Sequence, residues 1–394
     1  MSSQVTPVSE RIHIGFFGCS NAGKSSLVNA VTGQSMAIVS DIRGTTTDPV
    51  RKSMELLPLG PVVIIDTPGI DDETGLGTLR VQRTREILNE TDVAVLVIDG
   101  VKGLRPADKE LLQEIRNREI PYLLLWNKSD LPEAASPKEK ALPVSAATGF
   151  NIEQLKKLLS KILPTKSEQT LVGDLVSPGD LVVLVCPIDE AAPKGRLILP
   201  QQLTLREILD LNATVVVCRE TELQQTLDRL RESPKIVITD SQAFQKVSRI
   251  VPESMPLTSF SILMARYKGF LETAAAGVEA VRKLEDGDIV LMAEGCTHHR
   301  QCNDIGTVKI PNWLRNYTGK MLEFKTCSGR EFPEDLSSYK LVIHCGGCML
   351  TDTVVKNRMT VAIRQGIPFT NYGMVLAQMS GILERSLRPL KIHL

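Results

Sequence analysis

Eight consecutive residues, Gly18-Cys19-Ser20-Asn21-Ala22-Gly23-Lys24-Ser25, constrain this chain more than any others. They fit the pattern GxxxxGK[ST] and stand between an apolar run at 12–17 and the helical pattern SSLVNAV that begins at Ser25. A strand, a glycine-rich loop and a helix in that order make a phosphate cradle. The glycines let backbone N–H groups of Gly18, Asn21, Ala22, Gly23 and Ser26 face an anion, Lys24 adds a cation, and Ser25 offers a hydroxyl to magnesium. Such a loop needs a parallel α/β sheet around it. The flanking sequence supplies one, with further apolar runs at 61–66, 93–99, 121–127 and 141–146 separated by helical patterns.

The remaining motifs follow in the order that a guanine-nucleotide site requires. Gly44-Thr45-Thr46-Thr47-Asp48 suits a first switch, with Thr46 completing the magnesium shell beside Ser25 and Asp66. Asp66-Thr67-Pro68-Gly69 ends a buried run, so Asp66 approaches the metal and the Gly69 amide approaches the γ-phosphate. Asn127-Lys128-Ser129-Asp130 supplies base recognition. The Asp130 carboxylate can accept from guanine N1–H and N2–H, a pairing adenine does not offer, and Ser145-Ala146 faces the base from its other side. Lys24, Thr46 and Gly69 are the expected catalytic groups. Ile70 stands where Ras-like proteins place the glutamine that orients the attacking water, so unaided hydrolysis is expected to be slow.

At 394 residues the chain exceeds one ordinary core. The composition shifts suggest an α/β chain in three parts: a nucleotide domain at 1–167, a small α/β domain at 168–257, and a third α/β domain at 258–394. The second part has strand-like runs at 180–185, 214–217 and 235–239 with no phosphate loop, and reads as a scaffold or association domain. The third opens with one long helical pattern at 261–284, then shows strand-like runs at 288–292, 340–343 and 367–370 and helical patterns at 354–365 and 374–387.

Five of the eight cysteines crowd into residues 296–348 of that third part, with three of the five histidines. Cys296-Thr297-His298 and His344-Cys345-Gly346-Gly347-Cys348 both begin where an apolar run ends. In an open parallel sheet those ends form the ligand crevice. The Cys-x-x-Cys turn brings two thiolates to one centre, and its glycines let amide groups face the sulfurs. Cys296 is the partner from the first stretch, with Cys302 and Cys327 in reserve. Zinc, an iron–sulfur cluster and a metal-free thiol pair all suit this spacing. His298 and His344 adjoin presumed ligands and suit either a fourth coordination site or hydrogen bonding around it, whereas His299 reads as exposed.

Basic and acidic side chains number 46 each, which argues against a broad nucleic-acid footprint. No apolar run approaches ~18 residues and no signal peptide is evident, so the reading is a cytoplasmic protein without a membrane span.

Asn21 in the phosphate loop, together with Gly44-Thr45-Thr46-Thr47-Asp48, resembles the TrmE and Era branch of GTPases. That resemblance implies a potassium ion held by Asn21, supplying the charge of an arginine finger. The whole chain, with Cys296-x-His298 and His344-Cys345-x-x-Cys348 behind such a GTPase domain, resembles the HydF family that matures FeFe-hydrogenase. The resemblance implies a homodimer joined through the middle domain and a 4Fe-4S cluster on Cys296, Cys345 and Cys348 with an exchangeable fourth site. It further implies GTP/GDP, Mg2+ and K+ as cofactors. The implied partners are two radical-SAM maturases and the apo FeFe-hydrogenase that receives a diiron precursor. The competing readings are an RNA-linked GTPase of ribosome assembly or tRNA modification and a zinc-stabilised signalling GTPase.

Overall fold

The computed structural model describes residues 6–33, 49–70, 77–137, 140–162, 170–188, 197–295, 304–329 and 331–393. The chain forms two compact units, 1–167 and 168–394. In the first, β1 (Ile12–Phe17), β3 (Gly60–Asp66), β4 (Val93–Asp99), β5 (Tyr122–Asn127) and β6 (Leu142–Pro143) run parallel. The edge strand β2 (Val50–Leu56) joins β3 antiparallel, giving the order β2-β3-β1-β4-β5-β6. Its helices are α1 (Lys24–Thr32), α2 (Gly77–Leu88), α3 (Pro106–Asn117) and α4 (Ile152–Ile162).

Strand β4 shows why the central runs are apolar throughout. Val93, Val95 and Val97 pack with Leu27 of α1 and Leu155 of α4, while Ala94, Leu96 and Ile98 pack with Ile87 of α2 and Ile115 of α3. Successive side chains point to opposite faces and both faces are covered, so no position is left for a polar residue until Asp99 at the strand's end.

The second unit holds two four-stranded sheets of one topology. The first contains β7 (Leu181–Val185), β8 (Thr214–Cys218), β9 (Ile236–Thr239) and β10 (Leu257–Ser259) in the order β10-β9-β7-β8. The second contains β11 (Ile289–Ala293), β12 (Glu323–Cys327), β13 (Leu341–His344) and β14 (Phe369–Asn371) in the order β14-β13-β11-β12. Every pairing is parallel. Helices α5 (Leu199–Asp210), α6 (Leu223–Arg229), α7 (Phe244–Ile250), α8 (Phe260–Tyr267) and α9 (Leu271–Gly277) precede β11. Helices α10 (Ile310–Thr318), α11 (Asp352–Arg364), α12 (Tyr372–Met379) and α13 (Leu383–Leu387) follow it. The strand-to-helix turns match in sequence too: Pro256-Leu257-Thr258-Ser259-Phe260 is answered by Pro368-Phe369-Thr370-Asn371-Tyr372.

The same match corrects two expectations. The pattern at 261–284 predicts one helix, and the chain instead forms α8, α9 and a 3-10 turn, Val278–Lys283. The pattern at 374–387 likewise divides into α12 and α13. Each break is a left-handed glycine, Gly269 (φ +75°) and Gly381 (φ +71°). The following amides reach back five residues, from Phe270 to the carbonyl of Ala265 and from Ile382 to that of Ala377. This is a helix stop that an unbroken apolar stripe conceals. Strand β12 went unpredicted because it is a sheet edge whose charged residues Glu323 and Lys325 face solvent, with Cys327 buried at its end. Among the described residues no helix is long and apolar enough to cross a membrane.

Candidate functional site

The phosphate loop leaves β1 through Gly18, whose φ of +138° brings it so close to the Val97 carbonyl that an added Cβ would lie 2.3 Å from that oxygen. At the far end Gly23 (φ +89°) leaves room for Asn127, whose Nδ2 a Cβ would meet at 2.2 Å. Lys24 is buried, and its Nζ donates to the carbonyls of Gly18 and Cys19, both at 2.9 Å. The ammonium is thus fixed within the loop. Asn21 is exposed in the left-handed region (φ +61°), a conformation that asparagine tolerates better than most residues. Ser25 Oγ donates to Asp66 Oδ2 at 2.6 Å.

The other Asp66 oxygen, Oδ1, is buried without a hydrogen-bond partner. Burial pushes the Asp66 carboxyl up from its ordinary range, and the Ser25 hydroxyl and the Lys24 charge pull it back. A buried orphan carboxylate oxygen beside a serine hydroxyl fits a divalent cation. Gly69 lies against the loop so tightly that a Cβ would fall 2.1 Å from Ser20 Oγ and 2.6 Å from the Ser20 amide. Ile70 packs against the core and offers no polar group.

Asn127 is a brace: its Nδ2 donates to the Ala22 carbonyl at 2.9 Å and its Oδ1 accepts from the Ala146 amide at 3.2 Å. It therefore ties the phosphate loop to the base loop. Ser145 is buried, its Oγ accepting from the Thr148 amide at 3.1 Å, while Asp130 is exposed. Lys128 donates to Asp99 Oδ2 at 2.7 Å. Burial alone would raise Asp99, but this ammonium and the amides of Val101 and Lys102 hold its carboxyl below the usual range. Asp99 and Asp108, which accepts from the Cys19 thiol at 3.0 Å, went unnoticed in the sequence. Both are buried acids: Asp99 ends the apolar run of β4, which is a signal readable in the sequence, whereas Asp108 sits in the first turn of α3 behind Pro106. Residues 44–48, with Thr46, lie outside the described residues.

In the second unit, Ala293 of β11 aligns with His344 on one side and with Cys327 on the other. The strand register thereby gathers Gly295, Cys327, Cys345 and Cys348 at one set of carboxyl ends. Cys345 Sγ accepts two backbone N–H groups, from Gly295 at 3.1 Å and from Gly347 (φ +69°) at 3.3 Å. Burial raises the Cys345 thiol, while those amides and the Arg358 guanidinium oppose the shift. Cys348 is pushed up to about 11 by burial and by Cys345, with Lys268 opposing, and burial pushes Cys327 up to about 11.

His344 is fully buried, and both ring nitrogens have neighbours: Nδ1 lies 2.7 Å from the Cys345 carbonyl and Nε2 lies 3.1 Å from Arg358 Nη1. Its pKa falls to about 3 through burial and the nearby guanidinium, so the ring is neutral. With Nδ1–H donating and Nε2 accepting, this ring braces the turn. Among the described residues no group of three His, Cys, Asp or Glu is close enough to hold a metal. Cys296, His298, His299 and Cys302 lie outside them. A sulfur that accepts two amides between adjacent strand ends nonetheless fits a metal-bound thiolate. The buried cations Arg358 and Lys268 beside these thiols were not foreseen, since single charges in helical patterns ordinarily face solvent.

Comparison with known proteins matches three successive segments of the chain. Residues 171–269 match the model of the hydrogen maturase F dimerization domain, and residues 272–389 match the hydrogen maturase F tetramerization domain; together they span more than half of the chain. Residues 13–128 match the 50S ribosome-binding GTPase family. Curated relatives include the tRNA modification GTPases MnmE of Laribacter hongkongensis (strain HLHK9), 34% identical across 40% of this chain, and of Synechococcus sp. (strain JA-2-3B'a(2-13)), 39% identical across 39%. The matches span 36% and 34% of those relatives, so the chain covers about a third of their length. Among solved structures, a variant of Aquifex aeolicus Era bound to GDP.AlF4- is 23% identical with a TM-score of 0.35, covering 52% of this chain and 93% of that one.

Proposed function

Because the chain belongs to the hydrogen maturase F family, we propose that it is a GTP-hydrolysing scaffold that carries a 4Fe-4S cluster and delivers a diiron precursor to an apo FeFe-hydrogenase. The first unit is a P-loop GTPase domain, which supports binding of GTP, GDP and Mg2+ and hydrolysis of GTP. The dimerization and tetramerization domains support self-association, which we read as a homodimer joined through residues 168–257. Two radical-SAM maturases would supply the precursor, in the cytoplasm.

In the nucleotide site Lys24 neutralises charge on the β and γ phosphates. Ser25 and Asp66, with Thr46, would hold Mg2+, which when bound would supply electrostatic stabilisation of the transferring phosphoryl group. The Gly69 amide faces the γ-phosphate, and Asp130 selects guanine. With Ile70 in place of a water-orienting glutamine, turnover is slow, and Asn21 at the apex of the loop is the residue that would hold K+. GTP turnover should rise in potassium over sodium at matched ionic strength, and equal rates in the two salts reject that role.

The observation that carries the cluster reading is the pair of amides on Cys345 Sγ, donated from Gly295 at one strand end and Gly347 beside the next. Cys296, Cys345 and Cys348 would hold the cluster, with His344 bracing the turn and His298 near the fourth site. When bound, the cluster supplies an iron site able to interact with another molecule. Anaerobic reconstitution with iron and sulfide, followed by EPR after reduction, tests it. The wild-type chain should give a cluster signal that Cys345→Ser abolishes while GTP turnover is unchanged. Uptake of zinc alone rejects the maturation reading.

A further inference from the structure

Arg358 on α11 is 3% exposed at the strand ends of the second sheet. Its guanidinium donates to the carbonyls of Glu294 (3.4 Å) and Gly329 and to His344 Nε2 (3.1 Å), and lies 5.2 Å over the Phe332 ring. These partners satisfy N–H groups, but none of the acceptor atoms is ionised. Among the described residues no carboxylate pairs with Arg358. The Glu294 carboxylate accepts instead from the Tyr372 hydroxyl at 3.3 Å. Lys268, the other buried cation near the thiols, does have a carboxylate, Asp352 at 2.9 Å.

An arginine keeps its proton under all ordinary conditions, and a buried charge without a counter-ion is costly. The contacts of Arg358 bracket the cysteine set. His344 precedes Cys345, Glu294 precedes the Gly295 amide that reaches Cys345 Sγ, and Gly329 lies two residues beyond Cys327. The atoms that these contacts surround are the sulfurs, which become anionic when they ligate a metal.

We propose that Arg358 is the resident counter-charge of the cysteine site, a positioning residue that favours the more negative, reduced state of an iron–sulfur group held by Cys345 and Cys348. The inference rests on the cluster reading above. A fixed positive charge in a medium of low polarity stabilises an added electron nearby, which raises the reduction potential.

The test is a redox titration of the full-length chain after anaerobic reconstitution with iron and sulfide. In Arg358→Gln the ratio of reduced to oxidised cluster at a fixed potential should fall about tenfold, which is ~59 mV for a one-electron couple. Arg358→Lys, which keeps the charge, should stay within about threefold of wild type. If Arg358→Gln does not fold, Phe332→Glu sets a carboxylate over the guanidinium without removing it. That variant should shift the ratio in the same direction, while Phe332→Leu should not. Equal potentials in wild type and Phe332→Glu overturn the proposal, as does a Lys variant that shifts as far as Gln. A wild-type chain that takes up no cluster rejects the cluster reading itself, and the inference with it. An unshifted variant on a loaded chain rejects only the role of Arg358.

Discussion

The two sheets of the second unit offer the same backbone frame to different side chains. After the central strand of the first, the Cys186 amide donates to the Cys218 carbonyl at 2.9 Å; after that of the second, Glu294 donates to Cys327 at 2.9 Å. Asp240 reaches Val185 as Cys345 reaches Ala293. The parallel extends to the turn that follows. Asp240 Oδ1 accepts from the Gln242 amide at 3.3 Å, and Cys345 Sγ accepts from the Gly347 amide at 3.3 Å. The frame presents an N–H to whatever acceptor stands at that position. An oxygen there caps a 3-10 turn, Ser241–Ala243, and a sulfur there accepts from the amides of Gly295 and Gly347. What separates the copies at the acceptor position is the choice of side chain.

The strongest test of that contrast exchanges like for like at matched positions. Cys348 and Ala243 each stand three residues beyond the acceptor. Cys348→Ser should reduce iron per chain after reconstitution to near zero, whereas Ala243→Ser should retain the wild-type content. Iron kept by the first variant, or lost from the second, breaks the comparison.

Next in size is a residue that only the second copy has. Arg385 on α13 is nearly buried and donates to the carbonyls of Ser248, Val251, Pro252 and Met255 near the end of the first copy. Its ion pair with Glu253 adds little, because that carboxylate is largely exposed. Losing the guanidinium leaves several carbonyls to find water, so Arg385→Met should cost about 3 kcal/mol. Urea unfolding of the second unit measures this, with GTP turnover as the unaffected control. A cost below ~1 kcal/mol would mean that the two copies hold together without it.

How much of this was readable depends on how local each feature is. The phosphate loop was legible because eight contiguous residues and two left-handed glycines specify it. Asp99 was not, since its role depends on Lys128, which reaches it across the sheet. Cys345 and Cys348 stood out through their spacing, and strand ends were the right place to look for them. Arg358 stayed hidden because its burial follows from the packing of α11, which the helical pattern does not reveal. The shared topology of the two sheets was missed for a related reason. Matching residues such as Thr258 and Thr370 are few, and the loops between matching strands differ in length.

A smaller effect separates the two turns by backbone alone. Gly347 has φ +69°, and an added Cβ would lie 3.0 Å from Val355 Cγ2. Gly347→Ala should therefore cost about 1–2 kcal/mol and loosen the amide on Cys345 Sγ, lowering iron uptake. Gln242, the matching residue in the first copy, sits in a right-handed turn. Gln242→Ala should stay within ~0.5 kcal/mol in the same denaturation experiment. Equal costs would mean that the cysteine turn is not under special backbone constraint.

The smallest effect asks whether the two copies are interchangeable where their sequences agree best. Ser259 caps α8 by accepting from the Ile262 amide at 3.3 Å, and Asn371 caps α12 by accepting from the Met374 amide at 2.9 Å. Asn371 does one thing more: its Nδ2 donates to the Ser261 carbonyl at 3.0 Å, joining the copies. Asn371→Ser converts the second cap into the first, keeping an acceptor and removing that donor. Because the Ser261 carbonyl lies in the first turn of α8, where the helix supplies a second donor, the loss should be about 0.5–1 kcal/mol. Asn371→Ala, which removes the cap as well, should cost about 1 kcal/mol more. If the serine variant costs as much as the alanine variant, the cap does not transfer between the copies, and their likeness stops at the strands.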